Sequence, residues 1–382
     1  MYGGRRSTFP LAVLAANLGQ VSETFVRRHI EELLPARTAV VARRVVPDAA
    51  WIPSVPTLFL TGRRARWERI LGRVPTPEVA LRRQRRRMAR FLRRHRVEVV
   101  MIEYLDKWFP FLETLFAADV RVFAHAHGYD ASVLLEDPAW RAKFKEYNRA
   151  SGVITVSEDS KRRLVAIGLD EERISVVPCG IDVPEWDTRP AVRGGPIRFA
   201  ALGRLVPCKG ILQSIAAFAA VHREMPATVL DIVGDGPLRE ASAHAVHELR
   251  LAESVRLHGP LPHDAAIKIL SQADVFVQHG RRDERGAIEG RGLSIMEAMA
   301  RGIPVVATRH GGIPESVRDG ADGILVNEGD VEAMSAAMRR LAVDPDLREA
   351  MGASARARAK AEFSADVERA KLLSVLGLDT LA

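Results

Sequence analysis

The chain has 382 residues, more than one hydrophobic core usually serves, so two domains are expected. Hydrophobic residues make up 47% of it, an ordinary globular share; no apolar run reaches the roughly 18–20 residues of a membrane span, and two cysteines, Cys179 and Cys208, exclude a disulfide framework. The net charge of +8 lies wholly in the first half: residues 1–190 carry 32 Lys and Arg against 23 Asp and Glu, residues 191–382 carry 24 against 25.

Arg5 and Arg6 precede a short apolar run that enters Asn17-Leu18-Gly19-Gln20 without a cleavage pattern, so no signal peptide is expected. Leu11-Ala12-Val13-Leu14 reads as a first strand, and Ser22 as the cap of a helix beginning near Glu23. Thr38 to Ala42 is a second strand. Residues 47–61 read as a Pro-rich connection. Residues 62–96 hold 14 arginines and read as mostly helical, broken near Pro75 and Pro77. Leu81, Met88, Phe91 and Leu92 give that stretch a partial apolar stripe. Two readings of its charge stand: a solvated helix face, or adhesion to an anionic membrane surface or acidic polymer. No nucleic-acid-binding motif accompanies it, so no nucleic-acid partner is expected. Further strands fall at 97–102, 121–126, 152–156 and 174–177. The second of these delivers His127-Gly128-Tyr129-Asp130 at its end, and Ser157 caps the helix after the third.

Pro184, Pro190, Gly194, Gly195 and Pro196 mark a linker, after which a second unit begins. Its strands fall at 197–202, 228–233, 255–258, 275–278, 303–307 and 324–326. Its helices fall at about 210–224, 237–252, 263–271, 295–301 and 331–341. Strands alternating with helices predict a parallel α/β organisation in both halves.

The chemistry-bearing stretch is Glu289-Gly290-Arg291-Gly292-Leu293-Ser294-Ile295-Met296-Glu297, two carboxylates eight positions apart. Glu297 opens a helix-forming run that ends at Gly302. It is therefore expected near a helix N-terminus on the rim where open α/β sheets bind ligands. Gly311 and Gly312 follow a strand and are expected to leave backbone N–H groups uncovered for an anion. Gly234-Asp235-Gly236 lacks the third glycine of a dinucleotide fingerprint, since Arg239 stands there. No metal-ligand spacing is present, so no metal or other cofactor is expected.

These motifs, taken in order, resemble a retaining glycosyltransferase of family 4. The carriers are Gly203-Arg204-Leu205 leading to Lys209-Gly210, Val233-Gly234-Asp235-Gly236-Pro237-Leu238, Gly259-Pro260-Leu261, the Glu289/Glu297 pair, and Thr308-Arg309-His310-Gly311-Gly312-Ile313-Pro314-Glu315. Val21-Ser22-Glu23-Thr24-Phe25 and His127-Gly128-Tyr129-Asp130 resemble the branch that builds exopolysaccharides of the colanic-acid kind. The resemblance covers about residues 10–365 and is weak over 47–96. Two departures stand out: Gly19 is alone in the loop after the first strand, and Arg281-Arg282-Asp283-Glu284-Arg285 makes the loop before Glu289 unusually charged.

The resemblance implies the GT-B architecture, two Rossmann-like parallel α/β domains facing each other across a cleft. The expected division is an acceptor domain over 1–187, a nucleotide-sugar domain over 196–362, and a last segment over 363–382 packing back on the first. It implies transfer of a hexosyl group from a UDP- or GDP-linked sugar, with retention, to a lipid-linked or saccharide acceptor. The donor site would comprise Gly203, Arg204, Lys209, Gly234, Gly236, Glu289, Gly292, Leu293, Glu297, Gly311 and Gly312, with Glu315 at its border. Arg204 and Lys209 would neutralise the leaving diphosphate. Glu297 would accept both ribose hydroxyls and Glu289 those of the transferred sugar. His127 would act at the reaction centre, donating to a sugar hydroxyl or a developing charge, with Arg204, Lys209 and Glu289 as its catalytic partners. His125 is expected to be packed. Gly19, Glu23 and Asp130 are candidates for the acceptor side. Glu23 faces the acceptor or favours the helix dipole; Asp130 orients His127 or caps the next helix. The expected location is cytoplasmic, peripheral on the inner face of the plasma membrane. Two other functions fit the same motifs: a nucleotide-sugar 2-epimerase, and a non-catalytic sugar-nucleotide-binding partner in a polysaccharide assembly.

Overall fold

The computed structural model describes residues 8–20, 23–47, 49, 51–61, 76–185 and 195–381. The Ser22 cap, the first half of the Arg-rich stretch and most of the proposed linker therefore lie outside the described residues. Seven strands form the first sheet: β1 (Leu11–Leu18), β2 (Thr38–Val45), β3 (Thr57–Phe59), β4 (Val99–Glu103), β5 (Arg121–Ala126), β6 (Gly152–Thr155) and β7 (Ile174–Val176). All pair in parallel, in the order β3-β2-β1-β4-β5-β6-β7. Six strands form the second: β8 (Ile197–Leu202), β9 (Thr228–Val233), β10 (Val255–Gly259), β11 (Val275–Gln278), β12 (Val305–Thr308) and β13 (Gly323–Val326), in the order β10-β9-β8-β11-β12-β13. The central strands are buried on both faces, as a parallel sheet covered by helices requires; every residue of β4, β9, β11 and β12 is buried. The fold is thus two Rossmann-like α/β units. Strand order reverses between β1 and β4 and again between β8 and β11, which sets a ligand crevice at the carboxyl ends of those strands.

One strand differs from the sequence reading. The stretch 47–61, taken as connection, contains the edge strand β3, which pairs Val40 with Thr57 and Ala42 with Phe59. Three residues after Pro53 and Pro56 are too short to show a period of two.

The chain crosses between the units twice. Ile181 bridges Ser364 and donates its N–H to the Phe363 carbonyl at 2.8 Å, so the two crossings lie side by side. The helix Pro345–Glu362 buries Ala355 and Ala359 in the second unit beside Met299. The next helix, Ala365–Leu376, buries Leu372, Leu373 and Leu376 with Leu11, Val13, Val40 and Val99 of the first.

The Arg-rich helix spans Pro77–His95, capped by the Thr76 hydroxyl and ended by Arg96 in the left-handed region. Met88 and Leu92 are buried, and Arg85 and Arg87 donate to the carbonyls of Pro110, Phe59 and Leu60. Arg82, Arg86, Arg90, Arg93 and Arg94 are exposed. Among the described residues no helix is long and apolar enough to cross a membrane.

Candidate active site

The carboxyl ends of β8 and β11 and the loops after them bring four polar side chains together. Lys209 forms an ion pair with Glu289 Oε2, and Gln278, the last residue of β11, donates to the same oxygen at 2.9 Å. Arg204, exposed in the loop after β8, lines the same small recess with Gly203, Lys209 and Gln278. Burial would raise the Glu289 pKa, but the Lys209 ammonium and the Gln278 amide outweigh it and hold the carboxyl below its usual range. The backbone is braced as well. His310 Nε2 accepts the Glu289 N–H at 3.3 Å, while His310 Nδ1 meets Glu328 Oε2 at 2.7 Å. Gln278, His310 and Glu328 are contributions that reading the sequence missed. Their only local signal is position, at or just past strand ends on the ligand rim.

Glu297 has a different setting. The helix Leu293–Ala300 starts four residues before it, capped by Gly292, so Glu297 sits on the second turn rather than at the N-terminus. The apolar run Leu293 to Met296 continues the helical pattern backward, and it is the left-handed Gly292 that sets the start. Burial pushes the Glu297 carboxyl up, opposed by His263, whose Nε2 lies 3.7 Å away, and by Arg301. Glu297 and Leu293 line a cleft of about 840 Å³ between the two units, opposite Gly19, Glu23, Arg27 and Arg28.

The glycines mostly serve loop packing. Gly234 and Gly236 follow β9 with positive φ, and a Cβ on Gly234 would lie 1.8 Å from the Gly203 carbonyl oxygen. The Gly234 N–H is bonded to the Gly259 carbonyl and the Gly236 N–H to the Asp235 side chain. Gly312 donates to the Glu289 carbonyl at 3.1 Å, and a Cβ there would lie 1.8 Å from the Gly290 oxygen. The expectation of an uncovered N–H at Gly312 is therefore corrected: the glycine is needed because the Glu289 loop lies against it. Glu315 is corrected too. It turns from the donor side to the first unit, where its oxygens accept the N–H groups of Glu158 and Asp159 at 2.8 Å each. Arg291 joins it at 3.2 Å and reaches the Val156 carbonyl. Ser157 does cap that helix, accepting from Ser160 N–H at 3.1 Å.

In the first unit His127 stands just past the end of β5, 7% exposed, its ring packed against Phe25, Tyr104 and His125. Its Nε2 lies 2.8 Å from Glu103 Oε2. A Cβ on the neighbouring Gly128 would lie 3.6 Å from the Gly290 nitrogen, which places the His127 loop against the Glu289 loop. Asp130 is fully buried and does not face an acceptor. Its two oxygens accept the backbone N–H groups of His127 at 2.6 Å and Leu105 at 2.7 Å, so it both braces the His127 loop and caps the helix Leu105–Trp108. Burial raises its pKa to about 6, against the pull of His127 and those two N–H groups. Glu23 lines the cleft and accepts from Tyr104 Oη at 3.2 Å; burial raises its pKa. His125 is fully buried, and neither ring nitrogen has a hydrogen-bond partner.

Glu103 and His29 were not singled out from sequence, yet they lie at the centre of this unit. His29 Nδ1 is 2.7 Å from Glu103 Oε1, and His29 Nε2 is 3.2 Å from Glu368 Oε1. Burial disfavours the His29 charge, but Glu103 and Glu368 outweigh it and raise its pKa to about 10. The ligand atoms of His29, Glu103 and His125 lie within 4.8 Å of one another, a composition able to hold a metal. His29 and Arg28, which lies 4.0 Å from Glu368, already balance the two carboxylates.

Two facing Rossmann-like units with this cleft define a GT-B protein, and comparison with known sequences gives the family. Residues 28–185 match glycosyltransferase family 4, and residues 182–358 match glycosyl transferases group 1. The GDP-mannose-dependent α-(1-6)-phosphatidylinositol monomannoside mannosyltransferase of Mycolicibacterium smegmatis is 32% identical over 74% of this chain and 76% of its own length. The putative colanic acid biosynthesis glycosyltransferase WcaL of Salmonella typhimurium is 29% identical over 65% and 62%. The crystal structure of Anabaena HepE in complex with UDP superposes with a TM-score of 0.78 at 19% identity, covering 96% of this chain and 99% of that one. The chain belongs to glycosyltransferase family 4.

Proposed function

We propose that the protein transfers a hexosyl group from a UDP- or GDP-sugar, with retention, to a lipid-linked or saccharide acceptor in the synthesis of an exopolysaccharide or cell-surface glycan. The observation that carries this reading is the Lys209–Glu289–Gln278 group beside Arg204, set against the His127 loop of the other unit. Two cations at the end of β8 suit a leaving diphosphate, whose developing charge they would neutralise without a metal. Glu289, held ionised, accepts hydrogen bonds from sugar hydroxyls, and Glu297 lines the cleft as a ribose partner. His127, in the first-unit loop that lies against the Glu289 loop, would act on the sugar once the cleft holds both substrates. The relatives named for phosphatidylinositol mannoside and colanic acid synthesis favour such acceptors, and the UDP bound by HepE favours a nucleotide-sugar donor. A lipid-linked acceptor would place the enzyme at the inner face of the plasma membrane, where the Arg-rich helix meets anionic lipid.

The test is a calorimetric screen of the purified protein against UDP- and GDP-sugars, followed by mass spectrometry with and without membrane extract. One donor is expected to bind and its hexose to appear on an acceptor. Product formed without acceptor would make the protein a 2-epimerase; donor binding without turnover on any acceptor would make it a binding partner.

A further inference from the structure

We propose that Glu103 is a positioning residue that fixes the ring tautomer of His127, and that the last helix of the chain holds Glu103 in place through His29. The inference rests on the reading of His127 as the group acting on the sugar. An ionised carboxylate accepts hydrogen bonds and donates none. Glu103 Oε2 lies 2.8 Å from His127 Nε2, so that nitrogen carries the proton. In the neutral ring the lone pair is then on Nδ1, and His127 meets a substrate hydroxyl as an acceptor. On this proposal the neutral His127 ring accepts at Nδ1, where the sequence reading had it donate.

The rest of the network keeps Glu103 from turning. Its other oxygen, Oε1, lies 2.7 Å from His29 Nδ1. His29 Nε2 in turn meets Glu368 Oε1 at 3.2 Å, across 339 positions of sequence. Both nitrogens of His29 face carboxylates, so both carry protons, in accord with its raised pKa. Every member of the chain Glu368–His29–Glu103 is at most 2% exposed. The His127 ring is also confined by the rings of His125, 4.3 Å away, and Phe25, 4.5 Å away, while Asp130 holds its backbone. The last helix thus supplies a carboxylate that orients the reaction centre as well as leucines for the core.

Long-range proton–nitrogen NMR of the full chain labelled with ¹⁵N-histidine reads the tautomer directly, and His127→Gln assigns the signal. The wild-type protein is expected to show the Nε2–H form. In Glu103→Gln the amide offers both a donor and an acceptor, so a mixture of tautomers is expected. Turnover should fall about 10- to 100-fold, as losing an orienting partner does, with donor KM within about twofold. Glu368→Gln should shift both readouts in the same direction by less, and it remains informative if Glu103→Gln does not fold. An Nδ1–H tautomer in the wild-type protein, or an unchanged tautomer with wild-type turnover in Glu103→Gln, overturns the proposal. Wild-type turnover in His127→Ala would instead overturn the catalytic reading of His127 and leave the tautomer result standing.

Discussion

Glu289 and Glu297 lie eight positions apart, yet the fold gives them opposite electrostatics. Lys209 and Gln278 hold Glu289 ionised, whereas burial raises Glu297 against the opposing pull of His263 at 3.7 Å, Arg301 and Arg28. A ribose diol would supply hydrogen bonds that the Glu297 carboxylate does not find among the described residues. Glu297→Ala should therefore weaken donor binding by about 1.5–3 kcal/mol, a roughly 10- to 100-fold rise in Kd by calorimetry; unchanged affinity would sink the assignment. His29 permits a prediction on stability. Its pKa is about 10 in the folded chain and about 6.5 when unfolded, so the folded state binds the proton more tightly. That contribution is complete below pH about 6.5 and drains away as pH rises through about 10. Thermal melts should show Tm falling over this window, and His29→Gln should flatten the dependence; identical slopes in the two proteins would count against a charged His29.

At the scale of elements, the helix Pro77–His95 divides its arginines by what they touch. Arg85 and Arg87 bind carbonyls of neighbouring segments, while Arg82, Arg86, Arg90, Arg93 and Arg94 are exposed, with Glu78 the helix's only acidic residue. An exposed cationic stripe over a buried Met88 and Leu92 suits a flat anionic surface. Each arginine near such a surface contributes about 1 kcal/mol, and the attraction falls as the Debye length shrinks from about 10 Å at 0.1 M salt to about 3 Å at 1 M. Co-sedimentation with anionic vesicles should be strong at low salt and mostly lost at high salt. Changing Arg86, Arg90, Arg93 and Arg94 to Gln should reduce it without altering donor binding. Equal sedimentation with neutral vesicles would leave the stripe a solvated face.

At the scale of the whole molecule, the last helix unites the architecture. Leu372 is fully buried in the first unit, although the chain up to Phe363, just before this helix, packs with the second. Leu372→Ala should cost roughly 2–5 kcal/mol, seen as a lower denaturation midpoint, because the cavity would open inside a rigid parallel-sheet core. A loss below about 0.5 kcal/mol, the range of surface substitutions, would mean that the helix is not seated there.

Much of this protein was legible along the chain. Buried strands such as β4, β9 and β12 are short, mostly apolar runs rich in β-branched residues, so their existence and the parallel α/β class follow from local composition. The family motifs are short segments at strand ends, readable for the same reason. Edge strand β3 was not, because three residues carry no period. Nor was the role of Gly312 or Glu315, which depends on which loop lies opposite. The network Glu368–His29–Glu103–His127 was the least visible, since its members come from four elements and no local spacing relates them. Sequence by itself determined the elements, the fold class and the residue types at the cleft, because propensity and hydrophobic periodicity act over a few positions. Tertiary structure alone decided which carboxylate meets which cation and which N–H groups are already taken. It also decided which histidine is charged, because electrostatics and hydrogen bonding depend on distance in space.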